Sequence, residues 1–154
     1  MHVEWQRPIG HSDTLSGLPE ERRPSPRLVV VVLFWTFYER LMERFFVDAM
    51  KSLPSRVSAD LLKRYGGIGA RLDRLFPLLF ETSFGAELAR LGFPKIKAHL
   101  DEVQAARNSL IHGNPEAITD ALVRATVEKL PAVQRSWIEL YNTWCVQRVR
   151  VPKA

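Results

Sequence analysis

The sequence predicts an all-α protein, a bundle of about four or five helices that follows an irregular N-terminal arm. Apolar residues recur at three- and four-residue spacing through most of the chain, as they do in helices with one buried face. Glycine, proline and asparagine stand where these periodic segments end, and no segment shows the alternation of a strand or a hairpin turn. The predicted organisation is an arm over residues 1–26 and a helical domain over residues 27–154.

The bulk composition is that of an ordinary soluble globular protein. With 154 residues, of which 46% are hydrophobic and 25% charged, the chain suits one domain with a single core. The net charge is +5, and because acidic and basic residues balance over the first 27 positions, the positive excess lies in the helical domain. A mild positive field favours polyanionic partners such as nucleic acid, although many basic proteins never bind one.

Cysteine usage fits a reducing environment and gives no sign of a metal site. The chain has one cysteine, Cys145, which excludes an intrachain disulfide, and no Cys/His cluster has the spacing of zinc ligands. We therefore expect a cytoplasmic protein that uses neither a metal ion nor another cofactor.

The first helix is predicted over residues 27–50. Its apolar residues fall on one face at helical spacing: Tyr38, Leu41, Met42, Phe45 and Ala49. The run LVVVVLFW at residues 28–35 is too short to cross a membrane, which takes about 20 apolar residues, and charges return at Glu39 and Arg40. We interpret this run as the buried start of the helix, expect no membrane association, and place the helix end near Pro54.

Three shorter helices are predicted in the middle of the chain. The first covers residues 58–65, with Ser58 as its N-cap and a break at the following glycine pair. The second covers residues 69–81, and Pro77 should kink or terminate it. The third covers residues 84–91 and is closed by Gly92.

Two longer helices complete the prediction. One has Pro94 in its first turn and continues to His112. The other covers residues 115–150 and is interrupted or bent near Pro131. Its last part should pack into the core through Trp137, Tyr141, Trp144 and Cys145.

The segment RNSLIHGNP at residues 107–115 carries polar residues that the apolar pattern does not explain. With Ile96 at 0° and about 100° per residue, Leu100 lies near 40°, Val103 near 340°, Arg107 near 20° and Leu110 near 320°. Arg107 therefore stands in the middle of the apolar stripe. Burying an unpaired guanidinium costs several kcal/mol, so we expect Arg107 to be paired or to face a cleft or an interface.

The residues after Arg107 read as a helix end with a polar pair beside it. Asn108 and His112 are one turn apart, so the amide can orient the imidazole. Gly113 has the position at which a left-handed residue ends a helix, and Asn114 with Pro115 has the N-cap and N1 pattern of the next helix. His112 then lies at a helix C-terminus, where the dipole favours the imidazolium.

These residue types suit cleavage of RNA without a metal ion. A histidine can take the proton of a ribose 2′-hydroxyl, and a guanidinium can hold the phosphate and stabilise its developing charge. Arg107 and His112 point about 140° apart on an ideal helix, so two copies around a two-fold axis would bring both to one phosphate more easily than one copy would. The second histidine could then protonate the leaving 5′-oxygen. The substrate must carry a 2′-hydroxyl, which means RNA rather than DNA.

The same residues resemble the HEPN superfamily. RNSLIH at residues 107–112 matches its R-x4-H signature in the common R-N-x-x-x-H form, and the glycine that follows is also typical. The long apolar first helix with FYERLMERF at residues 37–45 is similar to HEPN layouts, and the resemblance covers residues 27–150, with a likeness to the stand-alone RiboL-PSP-HEPN groups.

The resemblance implies a fold and an activity. HEPN domains are helical bundles that dimerise through the motif helices, and many are metal-independent endoribonucleases of toxin–antitoxin, antiviral or other RNA-processing systems. Their products typically carry a 2′,3′-cyclic phosphate and a 5′-hydroxyl. On this resemblance Arg107 and His112 form the catalytic pair, Asn108 supports them, and the partners are RNA, a second copy of the chain, and an antitoxin or another protein.

One position departs from some HEPN toxins, and part of the family suggests a different function. Those toxins carry a tyrosine two residues after the histidine, which a partner nucleotidyltransferase modifies, whereas this chain has Asn114. The resemblance therefore gives no reason to expect that mode of neutralisation.

Other HEPN domains bind RNA or a protein without cutting, and a non-catalytic module of this kind is the alternative.

Structural roles remain open for each candidate residue. Arg107 could pair with Glu39 or Glu43, since the family often places an acidic residue on the early helix, and such a pair would also orient the guanidinium. His112 could cap the helix by bonding its last carbonyls. His99 should lie on a solvated face. The aromatic residues of the last helix could stack RNA bases but at helical spacing are expected in the core.

Overall fold

The computed structural model describes residues 25–146, and every regular secondary-structure element in this part of the chain is helical. It contains six helices and no strand, which confirms the all-α class; six is also the number of helical segments located one by one in the sequence, against the four or five given for the bundle. The predicted arm, apart from its last two residues, and the end of the final helix beyond Val146 lie outside the described residues. The first helix begins at Pro26, the last residue of the predicted arm.

The helices are numbered here in chain order. Their bounds are α1 Pro26–Ala49, α2 Ser55–Arg64, α3 at residues 68–80, α4 Phe84–Arg90, α5 Ile96–Ile111 and α6 Asp120–Tyr141. A short 3-10 turn, Pro115–Ala117, precedes α6, and a π turn, Asn142–Val146, follows it. The described residues divide into two compact units, one made of residues 25–37 and 99–130, the other of residues 38–98 and 131–146.

The first unit contains the beginning of α1, most of α5 and the first half of α6. Its core is aliphatic and aromatic: Val30, Val31, Phe34, Trp35, Leu100, Val103, Ile118, Leu122 and Val123 are buried. The start of α1 is thus buried on one face only, because Val32 and Leu33 are 48% and 51% exposed. The expectation that residues 28–35 form a buried helix start is therefore correct for one face and wrong for the other.

The second unit has an aromatic core. The ring of Phe45 lies 5.4 Å from that of Trp137 and 6.0 Å from that of Phe76, measured between centroids. Trp137 is buried as expected. Tyr141 and Trp144 are half-buried instead, and each hydrogen-bonds a carboxylate. Aromatic rings bury large areas, so this cluster supplies much of the unit's packing.

Both prolines that were expected to disturb helices lie inside them. Before Pro77 the chain forms a π turn, Arg71–Leu75, in which the Phe76 N–H donates to the Arg71 carbonyl, and the helix continues to Phe80. This wider turn accommodates a residue that has no N–H. Helix α6 runs unbroken through Pro131, so the predicted interruption is wrong, whereas the bend given as its alternative stays a prediction. The buried side chains on either side of Pro131 offset the roughly 3 kcal/mol that an interior proline costs.

Three predicted helix starts are shifted. Helix α2 begins at Ser55, and Ser58 lies inside it, donating from Oγ to the Met50 carbonyl at 3.2 Å, rather than capping it. Helix α5 begins at Ile96 and not at Pro94. Helix α6 begins at Asp120 instead of Pro115, because Thr119 provides the cap: its Oγ1 accepts from the Leu122 N–H at 3.2 Å.

Candidate functional site

The C-terminus of α5 is a glycine-terminated turn that presents His112. The Gly113 N–H donates to the Leu110 carbonyl and the Asn114 N–H to the Ser109 carbonyl, both at 3.0 Å. Gly113 has φ +88°, as predicted for the left-handed residue that ends a helix. This is a Schellman turn, and it leaves the His112 side chain exposed one residue after the last helical position.

Arg107 is half-buried and has two contacts within its unit. Its Nη1 donates to Asn108 Oδ1 at 3.3 Å, and its guanidinium carbon lies 6.0 Å from the centre of the Trp35 ring. A guanidinium over a tryptophan face is attracted by about 0.5–1 kcal/mol at an accessible site. Because Trp35 is buried, the ring provides a fixed surface beneath the arginine.

The acidic residues proposed as partners of Arg107 lie on α1, in the other unit. Glu43 is exposed and pairs with Arg40 Nη1 at 3.4 Å on its own helix. Glu39 is half-buried.

The buried stripe of α5 is centred differently from the prediction. His99 and Ala106, near 300° and 280° on the helical wheel, are buried together with Leu100 and Val103. With these residues the buried positions run from about 280° to 40°, so Arg107, near 20°, is displaced about 40° from their centre but still lies between Ile96 and Leu100. Arg107 is nevertheless only half-buried.

The structure brings Arg107 and Asn108 together but leaves the imidazole of His112 apart from them. Asn108 Oδ1 accepts from Arg107, and the bond between Asn108 and His112 is a backbone one, from the His112 N–H to the Asn108 carbonyl at 3.1 Å. Over residues 25–146 the His112 side chain has no hydrogen-bond partner. The last carbonyls of the helix are already bonded by backbone N–H groups, which removes the need for a capping imidazole.

His99 is buried, so the prediction that it lies on a solvated face is wrong. It is 3% exposed, its ring lies edge-on to Phe34 at 6.2 Å, and neither ring nitrogen has a hydrogen bond within the described residues. Burial lowers the pKa of His99, the positive charge of Lys129 lowers it further, and Glu102, with Oε2 3.9 Å from Nδ1, opposes both. The sequence contained a signal for this burial: Ile96 lies three residues before His99 and Val103 four residues after it, which is the spacing of one helical face.

A second polar cluster surrounds Asp48 in the other unit. Its carboxylate accepts from Arg44 Nε and from the Tyr141 hydroxyl, both at 2.7 Å, and pairs with Lys51. Burial raises the pKa of Asp48, but these bonds outweigh it and lower the pKa to about 2. Asp48, Lys51 and Tyr141 line a cavity of about 420 Å³, and Cys145 lines it as well. Burial and the Asp48 charge raise the pKa of Cys145 to about 11, so this thiol is not activated as a nucleophile.

A cavity of about 450 Å³ lies beside the turn that follows His112. Six of the residues that line it are Arg27, Leu28, Pro115, Glu116, Ile118 and Asp120. Arg27 and Asp120 form an ion pair across it, with Nη2 donating to Oδ2 at 2.8 Å. The described residues that line it all belong to the first unit.

Neither a metal cluster nor a membrane span is present in the part of the chain that the structure describes. No three His, Cys, Asp or Glu side chains in residues 25–146 are grouped as metal ligands. The helices in the same range are too short or too polar to cross a bilayer.

Comparison with known proteins identifies no relative. The chain has no significant match to any family model, curated protein or solved structure.

Proposed function

We propose that this chain is a metal-independent endoribonuclease of HEPN type. The observation that carries the proposal is the arrangement at the end of α5. Arg107 is held by Asn108 and by the face of Trp35, and His112 stands exposed five residues later. This places a fixed cation and an accessible imidazole on one short segment, which is the combination that metal-free RNA cleavage needs.

The chemistry is an in-line attack by the ribose 2′-oxygen on the adjacent phosphorus. The imidazole of His112 takes the 2′-hydroxyl proton as the new O–P bond forms. Arg107 stabilises the extra negative charge on the non-bridging oxygens. The bond from phosphorus to the 5′-oxygen breaks, and a second imidazole gives that oxygen a proton. The products are a 2′,3′-cyclic phosphate and a 5′-hydroxyl.

The second imidazole comes from a second copy of the chain in this proposal. One copy holds a single motif, and Arg107 and His112 point in different directions on α5 and its terminal turn. A two-fold axis next to the motif would place Arg107 of one copy near His112 of the other. The proposed enzyme is therefore a homodimer with a composite site.

A cleavage assay tests the activity. A structured RNA is incubated in EDTA with the full chain, with His112→Ala, and with Arg107→Ala, and the new 3′ ends are analysed for cyclic phosphate. We expect cleavage by the unmodified chain that is lost in both variants. His2→Ala is the control histidine substitution, because the proposal gives His2 no role. Equal cleavage by all proteins, or none by any, contradicts the proposal.

A binding module without nuclease activity is the second candidate, and one observation favours it. Val29, Val32 and Leu33 form an exposed apolar face on the start of α1, which is a feature of surfaces that bind other proteins. In that case the EDTA assay yields no new 3′ ends with any of the proteins.

The biological setting rests on the resemblance and, for the cytoplasmic location, on the cysteine usage. We place the enzyme in the cytoplasm, in a toxin–antitoxin or antiviral system, with an antitoxin or another protein as regulator. A test is growth arrest on induced expression: the unmodified chain should stop growth, whereas His112→Ala should not. Asn114 stands where some HEPN toxins carry a modifiable tyrosine, so inhibition by nucleotidyl transfer to that position is not expected.

A further inference from the structure

The cavity of about 450 Å³ beside the turn that follows His112 has the composition of a nucleobase pocket. Leu28, Pro115 and Ile118 give it apolar walls, on which the flat faces of a base can pack. Glu116 gives it a carboxylate at one side. The volume lies within the range of about 300–1,000 Å³ that is typical of small-molecule sites.

The two carboxylates of the cavity are not equivalent. Asp120 is bonded to the guanidinium of Arg27, so its oxygens are occupied and its charge is compensated. Glu116 is exposed and has no ion pair or hydrogen bond with any residue in the range 25–146. Its two oxygens are free to accept hydrogen bonds from a ligand. Since a carboxylate repels phosphate, the cavity suits the base of a nucleotide and not its phosphate.

Among the four RNA bases, guanine matches a free carboxylate best. Its Watson–Crick edge presents N1–H and the 2-amino group side by side, and these two donors can bond both oxygens at once. Adenine and cytosine each present one amino group next to an acceptor nitrogen. The single N–H of uracil is flanked by two carbonyl oxygens, which a carboxylate repels. A bidentate pair of this kind typically changes affinity by about tenfold or more.

The cavity is close enough to the motif to hold a base of the same RNA strand. Pro115, which lines it, is three residues after His112, so their Cα atoms are at most about 11 Å apart. We propose that Glu116 is a specificity-determining residue that binds the guanine of a nucleotide next to the cleaved bond. This inference rests on the proposed function for the RNA strand, whereas the recognition of guanine stands on the cavity itself.

Binding of free nucleotides tests the guanine site without any cleavage. GMP, IMP, AMP, CMP and UMP are titrated into the full chain, into Glu116→Gln, and into Glu128→Gln, an equal charge change at an exposed position of α6 outside the cavity. We expect GMP to bind about tenfold more tightly than IMP, which lacks the 2-amino group, and backbone amide signals of residues 116–120 to shift. The preference should disappear in Glu116→Gln and persist in Glu128→Gln. Equal binding of GMP and IMP, or an unchanged preference in Glu116→Gln, overturns the inference.

Measurements with RNA distinguish the recognition of guanine within a strand from the recognition of a free nucleotide. Binding of a short single-stranded RNA with one guanosine is compared with the same RNA carrying inosine there, using His112→Ala with and without Glu116→Gln. Weaker binding of the inosine RNA, seen only with Glu116 present, supports the inference. A guanine preference for GMP alone means a free-nucleotide site and refutes the role in RNA.

Parallel cleavage in EDTA keeps the two proposals distinguishable. If guanine binds but the unmodified chain does not cut, the ribonuclease proposal fails and the site stands. If the chain cuts and Glu116→Gln keeps the same base preference, the site fails and the ribonuclease stands.

Discussion

The guanidinium carbon of Arg107 lies 6.0 Å from the centre of the Trp35 ring, so the arginine of the motif is supported by a buried tryptophan of α1. A charged group placed over an aromatic face keeps one side in contact with the protein and the other accessible to solvent. This geometry gives a half-buried arginine a fixed direction, and no carboxylate within residues 25–146 forms an ion pair with it. A guanidinium with most of its charge still available is what a phosphate site requires.

The contact between Arg107 and Trp35 should be measurable as a coupling energy. We expect a double-mutant cycle of Arg107→Ala and Trp35→Leu, followed by urea unfolding, to give a coupling of about 0.5–1 kcal/mol. Trp35→Phe keeps an aromatic face and should retain part of this coupling. Strictly additive effects of the two substitutions would show that the two side chains do not interact in solution.

The turn that presents His112 depends on the glycine after it. Gly113 has φ +88°, and an added Cβ would meet nothing within 4 Å, so Gly113→Ala should destabilise the protein by about 1–2 kcal/mol through backbone conformation alone. Gly67→Ala is the matched control, because Gly67 has φ −85° and equally open space. The measurement is the free energy of unfolding in urea. A loss of stability at Gly67 equal to that at Gly113 would refute this explanation.

The end of α5 was predictable from the sequence because local rules determine it. Gly113 and the backbone bonds of a Schellman turn follow from the residues at hand, and the helix ends where the pattern indicated. The start of α6 was not predictable in the same way: Asn114 and Pro115 form a separate 3-10 turn, and Thr119 caps the long helix instead.

The differences between the predicted and the observed surroundings of Pro131, His99 and Arg107 have one physical cause. Tertiary packing outweighs the local preference of each residue. A proline inside α6 is tolerated where both flanking turns carry buried side chains. A histidine on α5 is buried where the neighbouring helix presents Phe34. Once His99 and Ala106 join the buried face, its centre shifts away from Arg107, which still lies between Ile96 and Leu100 on the helical wheel. The motif residues themselves were found from the sequence, but the tryptophan beneath Arg107 required the structure.

Burial of His99 predicts a loss of stability in mild acid. Its pKa in the folded protein is below the usual 6.5 because burial and Lys129 disfavour the charged ring, with Glu102 opposing them. The unfolded chain therefore binds more protons as the pH falls through about 6.5, and stability falls with it, by at most about 1.4 kcal/mol per pH unit for one proton. Above pH 7 both states are neutral at this residue and the effect vanishes.

The measurement is urea unfolding between pH 7.5 and 5 for the full chain and for His99→Leu. The variant cannot titrate at this position, so its stability should decline less over the range. In a chain that keeps His99, Lys129→Gln removes the positive charge near the imidazole. This substitution should reduce the loss of stability as the pH falls. Identical pH profiles for the full chain and His99→Leu would show that His99 does not contribute.

A composite site predicts that two inactive variants restore activity together. Arg107→Ala and His112→Ala should each fail to cut RNA, but a heterodimer of the two pairs the intact Arg107 of one copy with the intact His112 of the other. Recovery should be partial, because the heterodimer lacks the second imidazole that protonates the 5′-oxygen. Subunits are exchanged by mixing the variants, and cleavage is followed in EDTA. The control mixes Arg107→Ala with the double variant, which contributes neither side chain. A mixture no more active than this control would place Arg107 and His112 of a single copy in the site, or neither residue.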